Sequence, residues 1–284
     1  MKNLFSTLIL LALGCTQQQP ESLRLATFNI RYDNSGDGPN SWPHRKDSIC
    51  AFIHRVDPDI IDMQEVLHHQ LEVLKTGLPE YTVVGVGRED GKTAGEYAPI
   101  FFKQAKYTLL DQNTFWLCEK PDSVGMVGWD AALTRIATWV KLQDKKTGQI
   151  LMVVNTHFDH IGTEARRNSA LLIIEKIKEI VGTSPAILTG DFNVSEDWDA
   201  YKTITNNEFI LKDAHKVAGK RTGVDFTYHN FGKIPAEKCE KIDFIFVTPQ
   251  IRVISSYIPF SQLNDTLFLS DHNPEIVELE IEKS

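Results

Sequence analysis

Apolar and polar residues alternate through Leu23–Ile30, and this period-two pattern predicts a strand. Arg45–Val56 changes to helical spacing, with apolar residues at 49, 52, 53 and 56, and Asp57-Pro58 stops it. Ile60–Glu65 predicts a short buried strand, and Leu67–Leu78 a helix ending near Gly77 and Pro79. Strands are expected over Tyr81–Val86, Pro99–Lys103 and Tyr107–Gln112. A hairpin is expected from Ala137–Gln143 and Ile150–Thr156 about the loop 144–149. Glu164–Val181 carries the strongest helical pattern. Ala186–Asp191, Ile242–Val247, Arg252–Tyr257 and Glu275–Ile281 complete the strands. Many strands with few helices between them predict two packed sheets with helices outside. A long segment from Phe115 to Leu133 with Trp116 and Trp129 is expected to overhang the site and set specificity.

The first residues follow another rule. Lys2 precedes the apolar run Leu4–Leu13, too short for a bilayer span of roughly 20 residues but suited to a secretory signal. The run ends Ala12-Leu13-Gly14-Cys15, similar to a bacterial lipoprotein signal, which would leave a lipid on Cys15. Residues 1–14 are therefore expected as signal peptide, 15–22 as a polar tether and 23–284 as one catalytic domain, exported and lipid-anchored to a bacterial membrane. The domain is expected to be a monomer that touches membrane only through that lipid.

Charge and cysteine content narrow the chemistry. The 284 residues carry Lys+Arg 30 against Asp+Glu 38, a formal charge of −8, which disfavours stable binding of duplex nucleic acid. Cys50, Cys118 and Cys239 are expected as small apolar residues, with at most one disulfide among them. Neither a Cys-x-x-Cys nor a His-Glu-x-x-His spacing occurs, which argues against a zinc site.

Residues that bind metals or move protons recur where strands stop. They are Asn29, Glu65, Asn155, His157, Asp191, Asn193, Asp243, Asp271 and His272. Singly, an Asp or Asn after a strand is a turn former. In series, two sheets can bring them to one rim. Glu65 and Asn29 offer hard oxygen ligands, which select Mg²⁺, Mn²⁺ or Ca²⁺. Asp191 can orient or deprotonate water, Asn193 can donate to an anionic oxygen, and His272 with a carboxylate can hold phosphoryl charge. Together they suit phosphoester hydrolysis.

Thr27-Phe28-Asn29-Ile30-Arg31, Gln64-Glu65-Val66, Asn155-Thr156-His157-Phe158-Asp159, Gly190-Asp191-Phe192-Asn193, Lys241-Ile242-Asp243-Phe244-Ile245 and Ser270-Asp271-His272 occur in that order. This series resembles the endonuclease/exonuclease/phosphatase (deoxyribonuclease I-like) superfamily. The resemblance implies a four-layer α/β sandwich, two mostly antiparallel sheets packed face to face between helices, and Mg²⁺- or Mn²⁺-dependent hydrolysis of a phosphoester substrate. It places Asn29, Glu65 and Asp271 at the metal, and Asn155 and His157 at the scissile phosphate. Asp191 falls at the attacking water, Asn193 at the transition state, and His272 at the catalytic His position, oriented by Asp243. Tyr97 falls where relatives contact phosphate, and Arg135 is a phosphate-binding candidate; Arg31, Asp159 and His160 lie beside motif residues. The Pro-x-Trp-Cys-Asp-Arg box of the inositol 5-phosphatases is absent, and Phe226-Thr227-Tyr228 is similar to the deadenylase branch. The leading expectation is an exported phosphodiesterase or phosphatase. The alternatives are a nuclease of the 3′–5′ exonuclease/deadenylase-like or endonuclease branch, and a non-catalytic module that keeps the fold.

Overall fold

A computed structural model describes residues 22–182, 184–206 and 211–282. The expected signal peptide and all of the tether except Ser22 lie outside the described residues. The chain runs β1 (Ser22–Asn29), α1 (Trp42–Val56), β2 (Ile60–Gln64), α2 (His68–Gly77), β3 (Tyr81–Val84) and β4 (Ile100–Lys103). There follow β5 (Tyr107–Trp116), β6 (Ile136–Asp144), β7 (Ile150–His157), α3 (Thr163–Val181), β8 (Ala186–Asp191) and α4 (Asp199–Thr205). The last are β9 (Lys212–Asp213), α5 (Ala214–Val217), β10 (Lys220–Gly223), β11 (Asp243–Val247), β12 (Ile251–Ile258) and β13 (Glu275–Ile281).

Two sheets form, with strand orders β10-β12-β13-β1-β2-β4-β3 and β5-β6-β7-β8-β11-β9. Among the described residues, only β1–β2, β10–β12 and β7–β8 pair parallel. Leu25, Ile60, Val153, Ile187, Ile245 and Val277 meet between the sheets. Helix α3 covers the outer face of the second sheet through Ile173, Ile174 and Ile177. Helices α1 and α2 cover the first through Ile49, Ile53, Leu71 and Leu74. The architecture is therefore helix, sheet, sheet, helix. Central strands in such a stack are buried on both faces, so β2, β8 and β11 are buried throughout instead of alternating.

Polar groups also bridge the layers. Gln64 Nε2 donates to Asn155 Oδ1 at 2.7 Å across the sheets. Asn155 Nδ2 donates back to the Met63 and Pro99 carbonyls at 2.7 and 2.9 Å. These bonds lock β2 to β7 directly below the rim where the polar motif residues gather. Cys50, Cys118 and Cys239 are free thiols, so no disulfide joins them.

Candidate active site

The register of the second sheet assembles the first part of the site. His157 ends β7 opposite Asp191 at the end of β8, and Asp191 lies opposite Asp243 at the start of β11. Residues in one row across a sheet project to the same side, so one register places three functional side chains together. Gly190 permits this: a Cβ there would lie 2.2 Å from the Thr156 carbonyl oxygen. The first sheet adds Asn29, paired with Gln64 one residue before Glu65. Glu65 itself has φ 61°, a left-handed turn that swings its carboxylate out of the strand.

Asn29 Nδ2 joins the two sheets, donating to Asp191 Oδ2 at 2.9 Å and Glu65 Oε1 at 3.1 Å. The Tyr32 N–H donates to Glu65 Oε2 at 3.0 Å, and the Asn193 N–H donates to Asp191 Oδ1 at 2.9 Å. Asn193 Nδ2 reaches both His157 Nε2 at 3.1 Å and the Phe158 carbonyl at 3.0 Å. His272 Nδ1 is 2.8 Å from Asp243 Oδ2, and its Nε2 is 3.8 Å from Asp191 Oδ2. Thr227 Oγ1 accepts the N–H groups of Ile242 and Asp243, each at 3.0 Å. Tyr228 bridges to His272 through its backbone and lays its ring against the imidazole.

Burial, with the Asp243 charge beside it, pushes the Asp191 carboxyl up to about 7. His272 moves against its burial: Asp243, then Asp191 and Asp271, raise it to about 10. Burial together with Arg135 and Arg88 holds His157 well below the usual imidazole value. His157 is thus neutral and accepts from Asn193 at Nε2. His272 is charged. The two imidazoles on either side of Asp191 are differentiated by environment: His272 is hydrogen-bonded to Asp243, whereas burial and the Arg135 and Arg88 charges outweigh the more distant Asp191 and Glu96 carboxylates at His157.

Ligand atoms of Glu65, His157 and Asp191 lie within 4.8 Å of one another, as do those of Asp191, Asp243 and His272. The hard carboxylates with imidazole fit a divalent cation of the Mg²⁺ or Mn²⁺ type. Asn29 is held by both carboxylates of the first group, and it would ligate through Oδ1 after rotation of the amide, since Oδ1 now accepts the Arg31 N–H. Asp271, expected at the metal, belongs to neither group. Its Oδ1 accepts from Ser270 at 3.2 Å, and its Oδ2 lies 3.8 Å from Arg31 Nε.

Two expectations are corrected. Asn155 is fully buried and its amide is spent on the sheet-to-sheet bonds above, so it braces the site and is not exposed to a phosphate. Tyr97 is likewise buried; its hydroxyl donates to the Lys92 carbonyl at 2.8 Å and its ring joins the core beneath α1 and α2. The preceding Glu96 faces the site instead, with Oε2 3.9 Å from His157 Nδ1. Neighbouring residues of an extended segment point opposite ways, so the error is one of phase.

Arg135 is buried, contacts His160 Nδ1 at 3.2 Å, and leaves Nε and Nη1 without hydrogen bonds. The segment Phe115–Leu133 is fastened behind it: Trp116 Nε1 donates to the Arg88 carbonyl at 2.7 Å and Leu117 N to the Arg135 carbonyl at 2.8 Å. Arg88 in turn pairs with Glu96 at 2.7 Å. The segment is a wall backing Arg135 and Glu96. Strand β5 also runs to Trp116, past the expected Gln112.

Two arginines at the site carry more structure than the sequence signals. Arg31 reaches Asp37, Glu65 and Asp271, compensating three carboxylates. Arg45 is fully buried and donates to the carbonyls of Ile30, Arg31, Asn40 and Leu269. It thereby ties the segment leaving Asn29 to the segment entering Asp271 and His272. A helix-face arginine looks solvated in sequence; only the fold reveals four carbonyls converging on it.

Residues 26–272 match the family model described as Endonuclease/Exonuclease/phosphatase family. A solved endonuclease/exonuclease/phosphatase from Bacteroides vulgatus is 62% identical, covering 92% of this chain and 100% of that one, with a TM-score of 0.90. A mannosyl-6-phosphatase from Bacteroides thetaiotaomicron is 36% identical over 90% of this chain and 99% of its own, with a TM-score of 0.85. The CCR4-Not complex 3′-5′-exoribonuclease subunit Ccr4 of Emericella nidulans is 24% identical over 85% of this chain, which spans 46% of that relative's length.

Proposed function

The chain belongs to the endonuclease/exonuclease/phosphatase family, and we propose that it is an exported, Mg²⁺-dependent phosphatase acting on phosphomonoesters of sugars. The observation carrying the hydrolytic reading is the row His157–Asp191–Asp243 with His272 against it. The sugar-phosphate reading draws on the mannosyl-6-phosphatase relative and on the acidic chain, which disfavours long nucleic acid. Export draws on the apolar run before Cys15.

Glu65, Asp191 and His157, with Asn29 after its amide turns, would hold the cation. When bound, it supplies neutralisation of phosphoryl charge and lowers the pKa of a coordinated water. The protein's own contribution is as follows. Asp191 orients the attacking water and takes its proton. Asn193, fixed by the Phe158 carbonyl, turns its amide from His157 to a phosphoryl oxygen. His272, kept charged by Asp243, faces the same oxygens and holds the charge that develops on them. Arg135, whose Nε lies 3.6 Å from Asp159 Oδ2 and whose Nη1 has no hydrogen bond, meets the second charge of a monoester through Nη1.

The Ccr4 relative favours a second reading, a nuclease. A panel of mannose 6-phosphate, glucose 6-phosphate, RNA and single-stranded DNA with Mg²⁺ and an EDTA control separates the two. Phosphate release from the sugars, abolished by EDTA, supports the phosphatase. Cleavage of nucleic acid with intact sugar phosphates supports the nuclease.

A further inference from the structure

Asp243 and His272 come from different sheets. Asp243 opens β11 of the second sheet, and His272 lies just before Glu275, which opens β13 of the first. Their 2.8 Å contact therefore depends on how the two sheets sit against each other. The Asp243 carboxylate does little to hold itself in place. Oδ2 accepts from His272, and Oδ1 is buried without a hydrogen bond. Its aim is inherited from its backbone, whose N–H is fixed by Thr227 Oγ1 at 3.0 Å.

Lys241 fixes the other side of that residue. Its ammonium donates to the Asp243 carbonyl at 2.8 Å and pairs with Glu275 Oε2 at 2.9 Å. Lys241 is buried and Glu275 fully so. Glu275 Oε1 accepts from Ser256 Oγ of β12 at 3.0 Å, which holds the carboxylate toward the lysine. The Phe244 ring, 3.9 Å from Nζ, walls the ammonium on another side. One ammonium thus touches the backbone of Asp243 in one sheet and the carboxylate that opens the strand after His272 in the other. The cavity that Lys241 borders is lined by Glu196, His215 and Arg221, away from the residues of the site. A buried ion pair is a poor source of stability, because desolvation of both charges offsets their attraction; its better use is to fix geometry.

We propose that Lys241 and Glu275 are positioning residues, and that their ion pair is the strut that sets the separation of Asp243 and His272 across the two sheets. The proposal rests on the hydrolytic reading above. It assigns the strut to turnover and not to substrate affinity.

The test is the double variant Lys241→Met with Glu275→Gln. Both charges give way to neutral side chains of similar size, and the Gln keeps an acceptor for Ser256. No unpaired charge is left, so the urea midpoint should stay near that of wild type. On mannose 6-phosphate with Mg²⁺, kcat is expected to fall about 10- to 100-fold with KM nearly unchanged. In crystals of the variant, Asp243 Oδ2 and His272 Nδ1 should stand beyond hydrogen-bonding distance. A folded double variant with wild-type kcat overturns the proposal, as does an unchanged 2.8 Å contact in its crystals. Should the double variant not fold, Glu275→Gln alone carries the test: a fall in kcat at unchanged KM supports the strut, and wild-type kcat overturns it. A wild-type protein that hydrolyses neither sugar phosphates nor nucleic acid counts against the hydrolytic reading instead, and the crystal comparison still decides the strut.

Discussion

Asp243 Oδ2 and His272 Nδ1 stand 2.8 Å apart although 29 residues separate them in the chain. The carboxylate keeps the imidazole charged to about pH 10 against the pull of burial. The protonation state of His272 is thus set by a buried residue, which fixes ring orientation and charge together.

The alkaline limb of the pH–rate profile tests this relationship. Loss of the proton from His272 ends its ability to hold phosphoryl charge, so kcat should fall as pH rises through its raised pKa. Asp243→Asn removes the charge that raises it. The limb should then move down by more than one unit toward the ordinary imidazole value, about 6.5. It is measured as kcat against pH at saturating Mg²⁺. An unmoved limb assigns it to another group.

Asp62 yields a prediction on stability. It is fully buried between the sheets, with Oδ2 2.7 Å from Thr189 Oγ1, and burial raises its carboxyl to about 8. Thr189 Oγ1 is also within 3.2 Å of the Val154 carbonyl, and one hydroxyl proton cannot serve both oxygens. A protonated Asp62 resolves this by donating to Thr189, which donates to Val154. The folded state therefore holds a proton that the unfolded chain releases near pH 4. Stability falls as pH rises from about 4 to about 8, by at most about 1.4 kcal/mol per unit. Asp62→Asn keeps the donor and cannot ionise. Urea denaturation should show an advantage of the variant over wild type that grows from pH 5 to pH 8.

Asn155 and Asn193 look alike in sequence, each near the end of a strand, and the structure separates them. Asn155→Ala removes a buried donor from the Met63 carbonyl and from the Pro99 carbonyl, which keeps the Met63 N–H, and should cost about 1–3 kcal/mol of stability with KM nearly unchanged. Asn193→Ala should leave the melting temperature within a few degrees and lower kcat by about 100-fold, as for loss of one transition-state donor. Thermal melts and steady-state kinetics on both variants read this out.

The series of polar residues at strand ends was legible because each motif sits beside an unbroken apolar run, and the paired sheets could bring such ends together. The layers were legible for the same reason: β8 and β11 have no polar face to confuse the pattern. Asn155 and Tyr97 were misassigned because side-chain direction depends on register and on partners from the other sheet. Arg45 and Glu96 gave no local signal, since their roles arise from contacts with distant segments. The short α4, β9, α5 and β10 were absent from the expected elements, too brief for periodicity to register.

Arg45→Met should expose that hidden role. Four carbonyls lose the Arg45 donor at once, the Arg31 carbonyl keeping Gln70 Nε2, and a loss of at least about 3 kcal/mol is expected at roughly 1 kcal/mol or more for each of the other three. Arg45→Lys should recover part of it, since one ammonium cannot reach all four. Urea midpoints of the two variants rank them.

The central claim is that Asp191, at the meeting of the two sheets, drives metal-dependent phosphoester hydrolysis. The decisive measurement is the rate of phosphate release from mannose 6-phosphate by Asp191→Asn at saturating Mg²⁺, with circular dichroism confirming the fold. A fall of about 1,000-fold from wild type is expected for loss of the general base. A rate within about tenfold of wild type would contradict the assignment.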